Sequence, residues 1–314
     1  MDLTRRGFLR SLAAVPFAGP IVTASSGSQE HEPHLQFPAN ARDRLAVTSY
    51  PFRSFIESPT NHGRKAGLPP MDLKDFAAFV VEKFDIHNIN PLSDHFGSTD
   101  RAYLDSFVQS VASAHSHVVD LGLPGGHFYS PDESARKAAI KFGCDWIDRA
   151  AVIGSPSVRQ HLAGAKGELP SIDLAAASLG QLAEYGSKRN IVVNLENDSP
   201  VAEDPFFLIS VIERVNNPYL RGLPDFGNSL LAHDGEYNRR AVSGMLRHAF
   251  NMCHVKDIVE TDAGQRYAVD LKQMFELAKT SGYRGYFSME FETKLGDPIT
   301  GTRKLANQTL RYLA

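Results

Sequence analysis

Four side chains able to ligate a metal or move a proton, Glu196, Asp225, His254 and Glu290, stand at or near the ends of apolar runs in the C-terminal half of the chain. In IVVNLENDSP, residues 191–200, Ile191, Val193 and Leu195 alternate with Val192, Asn194 and Glu196. A strand here sends apolar groups to one face and an amide and a carboxylate to the other. GYFSMEF at 285–291 repeats the pattern, with Phe287, Met289 and Phe291 on one face and Ser288 and Glu290 on the other. NMCHVKD at 251–257 puts Met252, His254 and Lys256 on one side, and YLRGLPD at 219–225 ends in Asp225. Three carboxylates converging in a low-dielectric cavity repel one another and resist ionisation unless a cation lies between them. Three carboxylates and one imidazole suit a single divalent ion: Mn²⁺, Mg²⁺ or Co²⁺, with Zn²⁺ admitted by the histidine.

Such a cluster requires strand ends that converge. Strand candidates run through LAVTSY (45–50), DIHNIN (85–90), HVVDLGL (117–123), DWIDRAAV (145–152), IVVNLE (191–196), YLRGLPD (219–225), NMCHVKD (251–257) and GYFSMEF (285–291). Their starts lie roughly 30 to 45 residues apart, the length of a strand, a helix and two connections. Amphipathic segments lie between them, among them DLKDFAAFVVEKF, SPDESARKAAIKFG, DLAAASLGQLAEYGSKRN and DLKQMFELAKTSGY. Several begin at Ser or Asp and end near Gly or Asn, as capped helices do. Eight such units predict a single TIM (β/α)8 barrel, whose functional residues gather at the carboxyl ends of the strands. No G-x-G-x-x-G follows the first strand, which argues against a dinucleotide-binding open sheet. Arg53, His95 and His127 follow the first three strands and are expected to line the pocket with Lys256, which is placed to hold a substrate oxygen.

With 314 residues, 42% of them hydrophobic and 22% charged, the chain has the composition of a globular protein with a sizeable core. A formal net charge of −3 without long charged runs gives no sign of an electrostatic footprint for nucleic acid or an anionic membrane. The segment Thr4-Arg5-Arg6-Gly7-Phe8-Leu9-Arg10, followed by SLAAVPFAGPIVTA, resembles a twin-arginine export signal, its apolar part short and broken by proline. Residues 1–30 are therefore read as signal and linker, handled by the twin-arginine export machinery, and 31–314 as the barrel domain. The expected location is the periplasm, with no stable membrane insertion once the signal is removed. Cys144 and Cys253 are expected to be isolated thiols.

From SYPFR to the C-terminus, and most sharply in NLEND, DFGN, CHVKD and GYRGYFSMEFE, the chain resembles the xylose isomerase-like TIM-barrel superfamily, in particular its sugar phosphate isomerase/epimerase group. The resemblance implies that Glu196, Asp225, His254 and Glu290 ligate one divalent ion. It implies proton transfer beside a sugar carbonyl through an enediolate, with Glu196 and Glu290 as the acid–base pair. Where many relatives carry a histidine three residues after the strand-six aspartate, this chain has Asn228. Export favours free sugars, keto-sugars or glycosides over sugar phosphates as the small-molecule partner. The same proton abstraction on a 3-keto-glycoside leads to elimination, which makes a lyase or hydrolase the second expectation; a non-catalytic sugar-binding barrel is the third. An abasic-site endonuclease would need a richer His and Asp cluster and a basic surface. A homo-oligomer is left open.

Overall fold

The computed structural model describes residues 32–165, 167–292 and 296–314. The expected export signal, residues 1–30, lies outside them. Eight staves form the barrel: β1 (Leu45–Thr48), β2 (Asn88–Asn90), β3 (His117–Val118) continued as β4 (Leu121–Gly126), β5 (Ser157–Leu162), β6 (Val192–Glu196), β7 (Leu220–Leu223), β8 (Met252–Val255) and β11 (Tyr286–Met289). They fall in two parallel sheets, ordered β3-β2-β1-β11-β8 and β4-β5-β6-β7. Backbone bonds join the sheets at both seams. Gly122 N–H donates to Pro91 O at 2.9 Å on one side, and His254 N–H to Pro224 O at 3.0 Å on the other. The arrangement is a TIM barrel.

Helices α1 (Phe76–Phe84), α2 (Arg101–Ser113), α3 (Glu133–Ile153), α4 (Ile172–Ser187), α5 (Pro205–Val215), α6 (Gly235–Leu246), α7 (Leu271–Thr280) and α8 (Pro298–Leu313) return the chain from one stave to the next. A short antiparallel hairpin, β9 (Ile258–Glu260) with β10 (Arg266–Ala268), stands between β8 and α7. Asp132, Ser171, Asp204, Asp234, Asp270 and Asp297 each accept a backbone N–H in the first turn of α3 to α8, caps worth about 1 kcal/mol apiece. Among the described residues no helix is long and apolar enough to cross a membrane.

The expected strand at 145–152 is corrected: DWIDRAAV is the last part of α3. Trp146, Ile147, Ala150 and Ile153 are buried at the spacing of one helical face, and the helix stops only at Gly154, whose φ of 74° forms a left-handed cap. The fourth stave is instead SVRQHL, β5, whose polar letters hide its burial.

Strand alternation separates two cores. Val193, Leu195, Cys253, Val255, Phe287 and Met289 belong to the large apolar cluster that includes the buried helix faces. Met252 joins Ala46, Val119 and Leu223 in a small cluster of its own. Both cysteines are free, with Cys253 buried.

Candidate active site

Glu196 is the last residue of β6, His254 the third of β8, and Glu290 follows β11 directly. Asp225 lies two residues beyond β7 and bridges His254 in parallel. One potential ligand atom from each of the four lies within 4.8 Å of the others. His254 Nδ1 stands 2.6 Å from Glu196 Oε1 and 3.2 Å from Glu290 Oε2. Asp225 is fixed by its own loop, Oδ1 accepting from the N–H groups of Gly227 at 2.8 Å and Asn228 at 2.7 Å. Its buried Oδ2 accepts no hydrogen bond among the described residues.

Two cations brace the acids. Arg159 Nη1 meets Glu196 Oε2 at 2.5 Å, both side chains buried. Gly122 makes this possible, since a Cβ there would collide with the guanidinium. Lys256 Nζ lies 3.2 Å from Glu290, 3.2 Å from Glu292 and 3.5 Å from Asp225 Oδ2, and it donates to Asn228 Oδ1 at 2.7 Å. Asn228 therefore positions this lysine.

The electrostatics single out one member. Burial pushes every carboxyl up, but His254 and Arg159 outweigh it at Glu196, and Lys256 and His254 outweigh it at Glu290; both are held below the ordinary carboxylate range. Asp225 is lifted to about 7 by burial, which with the push of Glu196 and Glu290 exceeds the pull of Lys256 and His254. Burial would lower His254, yet Glu196 and Glu290 raise it to about 10. A divalent cation suits this donor set. It would give Asp225 Oδ2, which has only the Lys256 ammonium at 3.5 Å and no hydrogen bond, a close partner, and would take the place of the His254 proton.

The cluster opens on a cavity of about 340 Å³ lined by Tyr50, Arg53, Arg159, His161, Lys256 and the two glutamates among others, the size of a site for a small ligand. Arg53 stacks over the Tyr50 ring at 3.9 Å and donates to Tyr50 O at 2.8 Å. His95 and His127, expected to line the pocket, are not among its lining residues. His95 is buried and its Nδ1 shares a 2.8 Å hydrogen bond with Ser49 Oγ; burial, with Arg53 nearby, lowers it to about 3 and keeps it neutral. His127 is exposed beyond β4.

Arg159 and His161 escaped the reading of the sequence because β5 was placed too early. At i and i+2 on one strand they share a face, the signal that a correct placement exposes. His161 Nδ1 pairs with Glu203 Oε1 at 2.6 Å, and its Nε2 stands 3.6 Å from Glu196 Oε2.

Comparison with known proteins agrees with this architecture. Solved structures similar to the chain include a xylose isomerase-like TIM-barrel protein from Mycobacterium smegmatis in complex with magnesium, 17% identical, TM-score 0.65, covering 86% of this chain and 96% of that one. A D-allulose 3-epimerase from Methylomonas sp. in complex with D-allulose is 15% identical, TM-score 0.63, covering 90% and 99%. A 3-keto-D-glucoside 4-epimerase from E. coli is 14% identical, TM-score 0.63, covering 85% and 98%. No curated protein sequence matches significantly. The family model described as xylose isomerase-like TIM barrel matches residues 78–313, and the chain belongs to that family.

Proposed function

We propose that the protein is a divalent-metal-dependent sugar isomerase or epimerase that moves a proton on the carbon beside a carbonyl. The observation that carries this reading is the convergence of Glu196, Asp225, His254 and Glu290 within 4.8 Å, with a buried Asp225 oxygen lacking a donor. These four residues would hold the ion, which when bound supplies Lewis-acid polarisation of the carbonyl, worth several kcal/mol. Similarity to sugar epimerases, one solved with D-allulose and another named for a 3-keto-glucoside, supports a keto-sugar or keto-glycoside as substrate.

The chain's own residues supply the rest. Glu196 and Glu290 both line the cavity, so the carboxylate of one takes the carbon-bound proton and later releases it to solvent, while the other, protonated from solvent, gives a proton to the carbon, each step contributing roughly 10² to 10⁴-fold. Arg159 holds Glu196 in place, and Lys256 does the same for Glu290. Tyr50, Leu92, Leu123 and Leu231 supply apolar surface to the cavity wall.

The test is incubation of metal-loaded protein with ketoses and 3-keto-glycosides in D₂O, followed by NMR. Deuterium on the carbon beside the carbonyl, with an epimer or isomer as product, is the expected result. Release of the aglycone would favour elimination from a 3-keto-glycoside, and absence of exchange across the panel would leave a sugar-binding barrel. We further propose periplasmic location by twin-arginine export, supported by the Arg5-Arg6 motif; retention in the cytoplasmic fraction of cells with an intact export system would overturn it.

A further inference from the structure

Below the acid cluster a chain of hydrogen bonds leads from a buried aspartate to His254. The imidazole turns Nδ1 toward Glu196 and Glu290, and Nε2 toward Asn90 Oδ1 at 2.9 Å. The Asn90 amide nitrogen lies 3.1 Å from Asp120 Oδ2 and 3.2 Å from the Asp120 backbone carbonyl. A carboxylate and a carbonyl only accept, so the amide nitrogen must face them and the amide oxygen must face His254. An amide oxygen cannot donate. The proton in that contact therefore belongs to His254 Nε2, so once the Nδ1 proton leaves, the imidazole presents the lone pair of Nδ1 to the acid cluster.

Asp120 is itself anchored, Oδ1 accepting from the Ser157 hydroxyl and from Asn194 Nδ2 at 3.1 Å. Asp120, Asn90, Ser157 and Asn194 are all at most 1% exposed, so water does not substitute for any link. We infer that Asp120 and Asn90 are positioning residues that fix the tautomer and ring orientation of His254, presenting Nδ1 as the ligand nitrogen. The inference rests on the metal role proposed above. Groups that orient a metal-ligating histidine typically change metal affinity 10- to 100-fold when lost.

The test compares wild type with D120N and N90D/D120N. In D120N a donor amide replaces the nearer of the two acceptors that the Asn90 amide faces; Asn90 turns over, offers its own N–H to Nε2, and confines the His254 proton to Nδ1, where the ion must displace it. Mn²⁺ affinity by calorimetry should fall about 10- to 100-fold, and the slowly exchanging Nε2–H signal of His254 should disappear from ¹H–¹⁵N spectra. In N90D/D120N the carboxylate at position 90 accepts from Nε2–H and the amide at position 120 donates to it, so the signal returns and most of the Mn²⁺ affinity with it. A purely structural role makes the double variant no better than the single one, and that result, or unchanged Mn²⁺ affinity in D120N, overturns the inference. Wild type without a protected Nε2–H also overturns it, and this spectrum decides the matter even if D120N fails to fold. Wild type that binds no Mn²⁺ would remove the metal reading instead, while the Nε2–H signal still judges the relay.

Discussion

The barrel interior holds two polar regions of opposite character. At the mouth, Glu196, Asp225, His254 and Glu290 form a charged cluster braced by Arg159 and Lys256. In the layer beneath, Asn90, Asp120, Ser157, Asn194 and Asn251 form a network of amides around one carboxyl. Asn251 Nδ2 donates to Ser157 Oγ at 2.7 Å and to Val119 O at 3.0 Å, and Asn194 Nδ2 to Asn251 Oδ1 at 2.9 Å. The lower layer largely satisfies itself, since its donors meet acceptors already in the chain, the uncharged Asn194 Oδ1 being the exception. The mouth does not, because a surplus of acids leaves Asp225 Oδ2 buried without a donor. A self-satisfied layer orients; an unsatisfied one is built around something that arrives from outside.

Changes at the mouth should therefore act on chemistry and metal, and changes in the layer beneath mainly on stability, except at Asn90 and Asp120, which reach the metal through His254. The largest expected effect is on turnover. Glu196→Gln and Glu290→Gln should each lower kcat by roughly 10² to 10⁴-fold while the far-UV spectrum stays native, checked with whichever keto-sugar shows deuterium uptake. Next, Arg159→Met removes one of the two cations that face Glu196 and leaves the His254 imidazolium; it should destabilise the metal-free protein by about 3 kcal/mol in urea unfolding, with a smaller loss when Mn²⁺ is present. Chelation of wild type should remove the stabilisation that a bound ion supplies, about 2.7 kcal/mol at a hundredfold excess over Kd; His254→Ala should show little such difference. In the lower layer, Asn251→Ala should cost about 1–3 kcal/mol and shift Mn²⁺ affinity only a few-fold.

Metal uptake also carries a proton signature. Against the effect of burial, Glu196 and Glu290 raise His254 to about 10, so near neutral pH its Nδ1 is protonated until an ion displaces that proton. Affinity should rise with pH below that value, and calorimetry in buffers of different ionisation enthalpy at about pH 8.5, where Asp225 is already ionised, should detect release of about one proton. Uptake without proton release would show that His254 is not a ligand.

Much of the fold was legible because strands that face apolar helices on one side and a polar interior on the other alternate cleanly. Val193 and Leu195 against Asn194 and Glu196 is one such case, and Phe287 and Met289 against Ser288 and Glu290 another. The fourth stave was illegible for the converse reason. Ser157, Arg159 and His161 stand on one face of β5, and Gln160 stands among the apolar residues of the other, so hydrophobicity alone points to the richer DWIDRAAV. That segment is buried with helical spacing, and α3 runs through it to Gly154. Misplacing the strand hid Arg159 and His161, since partners of a carboxylate are visible only once their strand is in register with it; β5 pairs Arg159 with Asn194, two residues before Glu196. His95 and His127 were drawn to the site by their position after early strands, which does not reveal that one turns inward to Ser49 and the other outward.

Anomalous diffraction from crystals soaked in Mn²⁺ tests most directly whether the acid cluster is a metal site. One strong peak among Glu196 of β6, Asp225, His254 and Glu290, within ligand distance of Asp225 Oδ2, is the expected result. Ordered crystals with no peak there, or with their only peak at the neighbouring His161, Asp198 and Glu203 group, would contradict it.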